Sequence, residues 1–291
     1  MRSRRSALLA LVAVAALGVG ACSKSDSTAT TATTAGGSKG STPGSTKGAD
    51  LAAQMSGVKL VKDGTLTICS DIPYAPFEFP DDDKGGELTG FDVQLVNSMA
   101  KNLGVTTDWK TTPFDSIIAS LAAGNCDMIA SATTIKPERA EKVNFSQPYF
   151  DADQSLLVLA KNKDTYKQLS DLAGKTIGVQ SGTTGADYAT ANTPPGATVK
   201  EFQGADDLFA ALSSGQIDAV LQDYPVNAYR VVKNPQQFVV TQKIKTGEQY
   251  GLATAKGNDK LTSALNAALS QAKSDGTYDQ IYTTWFGQKQ Q

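Results

Sequence analysis

The chain contains no histidine. That excludes Ser-His-Asp and Cys-His nucleophilic catalysis and every zinc site that relies on imidazole. Basic clusters and basic-aromatic interleaving are also missing, which argues against a nucleic-acid partner. Cysteine is scarce: only Cys22, Cys69 and Cys126 are present. The residues from Ser23 to Gly48 include no aromatic. Nothing in the composition calls for a metal, a cofactor or an oligomer, and a monomer is expected. The chain is 291 residues long, enough for two domains of ordinary size.

What is present begins with an address. Met1-Arg2-Ser3-Arg4-Arg5 is basic, Ala7 to Val19 is apolar, and Val19-Gly20-Ala21 leads to Cys22. A basic start, a short apolar core and small residues before a cut describe a secretory leader over residues 1–21. The apolar run is shorter than the ~20 residues needed to cross a bilayer. Cys22 resembles a bacterial lipobox cysteine, whose lipid would tether the protein to the outer face of the membrane. Losing residues 1–21 removes three arginines and no acid, so the formal charge moves from −2 to −5. Residues 22–56, dominated by Ser, Thr and Gly, read as a disordered stalk that cannot bury a core. Cys69 and Cys126 remain. Outside the cell they can pair as a disulfide, but each falls on an expected strand, where a buried free thiol is the other reading.

From Gly57 onward the chain alternates apolar strand and amphipathic helix. Thr65–Cys69 reads as a buried strand that ends in Asp71-Ile72-Pro73-Tyr74-Ala75-Pro76-Phe77, a loop stiffened by two prolines. Phe91–Leu103 and Phe114–Ala123 read as helices, each closed by glycine, with Val105–Trp109 and Cys126–Ala130 as strands. Lys175–Val179 and Ile217–Leu221 repeat the plan, followed by helices over Leu261–Ala272 and Gly276–Phe286. Leu121-x-x-Gly124-x-x-Asp127 and Leu212-x-x-Gly215-x-x-Asp218 share one spacing, which suggests two similarly built lobes. The fold class expected is α/β, with parallel strands and helices on the sheet faces.

Ligands of open α/β sheets bind beyond the carboxyl ends of the strands. Ser131, Thr134 and Arg139 follow one such end, where Pro137 starts a helix whose N-terminus would face outward, and they offer donors to a carboxylate. Gly182, Thr183 and Thr184 precede a helix in the second half and offer backbone N–H groups. Asp223, after a buried strand, would accept from an ammonium group. Each has a plain structural alternative: a surface arginine, an ordinary turn, a helix cap. Together they suit the main-chain part of an amino acid.

The stretches Asp71 to Phe79, Gly90-Phe91-Asp92-Val93, Thr134-Ile135-Lys136-Pro137-Glu138-Arg139, Ser181-Gly182-Thr183 and Asp275-Gly276-Thr277-Tyr278 resemble the polar amino-acid-binding proteins of ABC importers, solute-binding protein family 3. The resemblance runs from about Val58 to Gly287. It implies a two-lobe periplasmic-binding-protein-like fold of type II, with lobe one over 57–150 and 251–291 and lobe two over 151–250. Hinge crossings would fall near 149–154 and 246–251, with the ligand in the cleft between lobes. It implies that Arg139, the Thr134 and Ala132 backbones and the Thr183–Thr184 region take the α-carboxylate, and that Asp223 takes the α-ammonium. Asp71, Tyr74, Phe114 and Gln180 would line the side-chain pocket, and Phe77, held in the same strand-end loop as Asp71 and Tyr74, is a further ligand-binding candidate. The implied partners are an amino acid and an ABC permease with its ATPase.

Asp71 beside Tyr74 and Phe114 favours a cationic side chain such as arginine, lysine or ornithine. Glutamine ranks second, because Gln180 and Gln222 stand where glutamine-binding members tend to carry lysine and histidine, and Asp71 would repel glutamate. Two other classes compete. A cyclohexadienyl or arogenate dehydratase-like enzyme needs a cleft acid, for which Asp71 or Glu78 would have to serve. An extracellular sensor domain would have to signal through a separate partner.

Overall fold

The computed structural model describes residues 51–287, so Cys22, the leader and the Ser/Thr/Gly-rich stretch up to residue 50 lie outside the described residues. Packing begins earlier than residue 57. Leu51 is buried and Met55 packs on the same core, one helical turn apart, so the end of the expected stalk belongs to the folded part.

Two five-stranded sheets organise the chain. The first has the order β4-β1-β5-β12-β6, from Thr106–Thr111, Thr65–Ser70, Met128–Ile129, Ala253–Ala255 and Val143–Phe145. The second has the order β11-β7-β10-β8-β9, from Phe238–Tyr250, Phe150–Leu159, Ala219–Asp223, Thr176–Gln180 and Thr198–Phe202. The chain passes to the second sheet between β6 and β7 and returns between β11 and β12. β7 and β11 run antiparallel from Phe238↔Leu159 to Tyr250↔Phe150, forming a double strand between the lobes. Sequence reading missed these two long strands, because their alternation of polar and apolar residues is broken by two register shifts in β11. Strands β2 (Phe79–Asp81) and β3 (Glu87–Thr89) make a hairpin between the Asp71–Phe77 loop and the helix that starts at Phe91.

The repeated Leu-Gly-Asp spacing has a structural counterpart. Gly124 and Gly215 both take left-handed backbone at a helix end. Asp127 and Asp218 then start the next strand and accept N–H groups, Asp127 from Val61 and Thr67 at 2.7 Å each, Asp218 from Thr176 at 2.9 Å. Each aspartate also donates its own N–H to a carbonyl of that neighbouring strand, at 2.8 Å. One local device sets strand register in both lobes.

Helix α1 (Phe91–Asn102) packs Phe91, Leu95, Val96 and Met99 into the main core, and the last helix, Thr277–Phe286, adds Tyr278 and Tyr282. Gly90 opens α1 at φ 129°, and a Cβ there would run into the Phe77 carbonyl. That close approach lets Pro76 and Phe77 accept the first helical N–H groups, from Phe91 and Asp92, at 2.9 and 3.0 Å. Beneath the first sheet, Cys69 and Cys126 are joined as a disulfide, with Cα atoms 5.7 Å apart.

Candidate functional site

The C-terminal ends of β1, β5, β8 and β10 converge on a small, nearly closed cavity lined by Tyr74, Phe114, Ala132, Thr134, Arg139, Gln180, Thr183, Thr184 and Asp223. All nine were candidates from sequence, and the structure brings them together from both lobes. The other four candidates lie behind this wall. Asp71 accepts the Gln180 amide at 2.5 Å. The Ser131 hydroxyl accepts the Asp71 N–H at 2.9 Å and donates to Glu78 at 2.6 Å. Gly182 contributes its carbonyl to Arg139. Phe77 is fully buried among Phe91, Phe150, Tyr250 and Phe286, so it is a core residue and not part of the cavity wall.

Arg139 sits in a single helical turn, Pro137–Ala140, which is too short to supply the outward dipole expected from sequence. Tertiary contacts hold it instead. Its guanidinium donates to the Thr134 carbonyl at 2.9 Å and to the Gly182 carbonyl of the other lobe at 3.0 Å. It also lies over the Phe114 ring, 5.1 Å from the centroid. Burial lowers its pKa, while the charges of Asp223, Asp187 and Glu248 oppose that shift.

Asp223 ends β10 in lobe two, and it does not cap the helix that follows, Tyr224–Lys233. Its carboxylate accepts three hydrogen bonds: Tyr250 at 2.5 Å, Gln154 at 2.5 Å and Tyr74, from lobe one, at 2.9 Å. Burial and the nearby charge of Glu248 still raise its pKa to about 6 against those bonds. Asp71 is likewise raised to about 6 by burial, with Asp115 adding repulsion and the Gln180 bond acting the other way.

Three residues that sequence reading did not name complete the site. Glu248, on β11, accepts from Thr134 at 2.9 Å, Thr184 at 2.5 Å, Gln154 at 3.0 Å and Thr246 at 2.9 Å. Gln154, on β7, also reaches Asp223. Tyr250 closes β11 against Asp223. No local pattern marks them: they matter because the paired strands β7 and β11 pass directly beneath the cavity. Their presence corrects the expected donor set. The hydroxyl protons of Ser131 and Thr134 go to Glu78 and Glu248, and the Ala132 N–H goes to Asp92 at 3.0 Å. Buried carboxylates require those donors more than a ligand carboxylate does. Arg139 is therefore the cation that faces the cavity, and Thr134 and Thr184 present lone pairs to it.

Further bonds cross the cleft at its edge. Lys136 pairs with Asp187 at 2.5 Å, and the Gln203 amide donates to Asp115 at 3.1 Å. Among the described residues no group of His, Cys, Asp and Glu is placed to hold a metal, and no helix is long and apolar enough to cross a membrane.

Residues 66–288 match the family model of bacterial extracellular solute-binding proteins, family 3. The chain is 34% identical over 229 residues to the L-cystine-binding protein TcyJ of Escherichia coli K12, covering 79% of this chain and 85% of that one. It is 37% identical over 220 residues to ABC transporter arginine-binding protein 1 of the same organism, covering 74% and 88% respectively. Among solved structures, an ancestral arginine-binding protein bound to arginine is 40% identical, with a TM-score of 0.72 over 77% of this chain and 99% of that one.

Proposed function

The chain belongs to the bacterial extracellular solute-binding proteins of family 3, and on that premise we propose that it captures a cationic amino acid for import. The observation that carries this reading is that Arg139 and Asp223 line the same small cavity, within electrostatic reach of each other. A guanidinium and a carboxylate on one cavity wall suit the α-carboxylate and α-ammonium of a zwitterion through charge-assisted hydrogen bonds. Thr134 and Thr184, with lone pairs toward the cavity, add acceptors for the ammonium.

At the side-chain end, the ligand's cation takes the place of the Gln180 amide on Asp71, between the rings of Tyr74 and Phe114. Arginine and lysine fit best, and an arginine-binding relative is consistent with that choice. Cystine is the second reading, because its second ammonium would meet the same carboxylate, and a cystine-binding relative supports it. Glutamine is third, since its amide would face Gln180 without the donors it needs.

The lobes close by bending at residues 149–154 and 246–251, and the loaded protein passes its amino acid to an ABC permease driven by its ATPase. Cys22 carries a lipid that keeps the monomer on the outer face of the membrane. The chain binds and does not turn its ligand over.

A thermal-shift screen of residues 48–291 against amino acids, with ornithine, citrulline and cystine included, tests the ligand assignment. A shift with arginine or lysine that disappears in Asp71→Ala supports the cationic pocket. A shift with cystine or glutamine alone reassigns the ligand. Silence toward every amino acid overturns the reading, and prephenate turnover would replace it with an enzyme. Loss of palmitate labelling in Cys22→Ala cells tests the anchor.

A further inference from the structure

Directly under the cavity's Ser131–Ala132 turn lie two carboxyl groups that the binding reading does not use, Glu78 and Asp92. Both side chains are fully buried. Glu78 accepts the Ser131 hydroxyl at 2.6 Å through Oε1. Asp92 accepts the Ala132 N–H at 3.0 Å and the Tyr149 hydroxyl at 2.7 Å through Oδ2. Their other oxygens, Glu78 Oε2 and Asp92 Oδ1, are also buried, and neither has a donor among the described residues. The loop of Glu78 docks on the N-terminus of α1, which brings the two acids within electrostatic reach of each other.

Two buried carboxylates with two orphaned oxygens and no cation cannot both be ionised cheaply. Among the described residues no lysine or arginine forms a salt bridge with either. The titratable groups that face them are Asp71, Tyr74, Tyr149 and Tyr278, and none of these supplies positive charge. The bonding pattern assigns the proton. Asp92 already receives two donors and behaves as the carboxylate. Glu78 receives one, through the oxygen turned to Ser131, and has a free oxygen to carry hydrogen.

We propose that Glu78 and Asp92 are a positioning pair that shares one proton, carried by Glu78, and that this pair holds the ligand-binding turn in shape. The turn needs holding. Ala132 has φ 41°, in the left-handed region that a residue with a Cβ avoids, and the Asp92 bond to its N–H fixes it there. Through Ser131 the pair also orients the backbone of Asp71. Burial and mutual repulsion push Glu78 well above its ordinary range, and burial pushes Asp92 to about 7, in keeping with one proton at neutral pH. The part of the inference that concerns ligand positioning rests on the binding function proposed above. The shared proton does not.

The sign of the pH effect follows from linkage. A group whose folded pKa is raised binds more protons in the folded state, so stability falls as pH rises above the unfolded carboxyl value. Glu78→Gln supplies a permanently neutral donor of the same shape. Unfolding is therefore measured from pH 4.5 to 8 without any amino acid, for wild type, Glu78→Gln and Asp92→Asn. Asp71 and Asp223 are also raised to about 6, so the pair is read from the difference between wild type and Glu78→Gln together with the infrared band of the protonated carboxyl.

The expected result is a shallower pH slope in Glu78→Gln and loss of a protonated-carboxyl infrared band at neutral pH. Asp92→Asn replaces the carboxylate that takes the Ala132 and Tyr149 donors with a weaker neutral acceptor and lowers the melting temperature more than Glu78→Gln. An unchanged slope, or an unchanged infrared band, overturns the shared proton; if Asp92→Asn does not fold, the Glu78→Gln comparison still decides. For positioning, Glu78→Ala loses amino-acid affinity and Glu78→Gln restores it. Equal affinity in all three proteins overturns that role. Absence of amino-acid binding in wild type would sink the proposed function while leaving the slope and the band to be read.

Discussion

The Thr184 hydroxyl donates to Glu248 at 2.5 Å, tying the first residue of a lobe-two helix to the strand that returns to lobe one. The same carboxylate oxygen holds Thr134 from lobe one. Glu248 thus joins both lobes and, through Gln154, both connecting strands.

Removing that clasp should loosen closure. Glu248→Ala strands four donors in a half-buried position, at about 1–3 kcal/mol for each one that finds no partner. The expected outcome is a lower melting temperature, weaker amino-acid binding and a larger radius of gyration in solution scattering. Wild-type values for all three would show that the clasp is idle.

Arg139 should tolerate no replacement, including lysine. A lysine keeps the charge but cannot reach two carbonyls from a planar fork while lying over Phe114. A hydrogen bond to a charged group contributes about 1.5–3 kcal/mol, so Arg139→Lys is expected to weaken ligand binding roughly ten- to hundredfold. Titration calorimetry on the folded variant checks this, and near-wild-type affinity would remove Arg139 from the carboxylate site.

Binding should weaken in mild acid. Asp223 stands at about 6 before an ammonium arrives, and the incoming cation lowers it. Below about pH 6 the ligand must displace a proton from Asp223, so affinity falls as pH falls and binding near pH 6 releases protons. Calorimetry in buffers of different ionisation enthalpy measures the release directly. Zero release at pH 6 would place the ammonium elsewhere.

The disulfide should matter for stability more than for ligand choice. Cys69 and Cys126 enclose a loop with a sequence separation of 57. Chain-entropy arguments put a crosslink of this kind at about 2–4 kcal/mol. The double variant Cys69→Ala/Cys126→Ala should lose that much in denaturant unfolding while its ligand ranking stays the same.

Much of lobe architecture was legible because it rests on local rules. The strand over Thr65–Ser70, the helices beginning at Phe91 and Thr184, and the paired Leu-Gly-Asp units each depend on periodicity or on a glycine at a helix end. The long strands β7 and β11 were not legible, since their pairing is non-local and interrupted by bulges. The site divides in the same way. Arg139 and Asp223 stood out by charge after a strand end, whereas Phe77 looked the same as Tyr74 on paper and turned inward in the structure.

Residue type and spacing therefore determined, without coordinates, that two α/β lobes would present Arg139, Asp223 and their neighbours at strand ends. Only the tertiary structure decided where the hydrogens go. A threonine offers a donor or an acceptor with equal ease, and its choice depends on which buried carboxylate comes within about 3 Å. Glu248 is 114 residues from Thr134 in sequence, and Glu78 is 53 from Ser131. No local pattern encodes those meetings, yet they set which polarity the cavity shows a ligand.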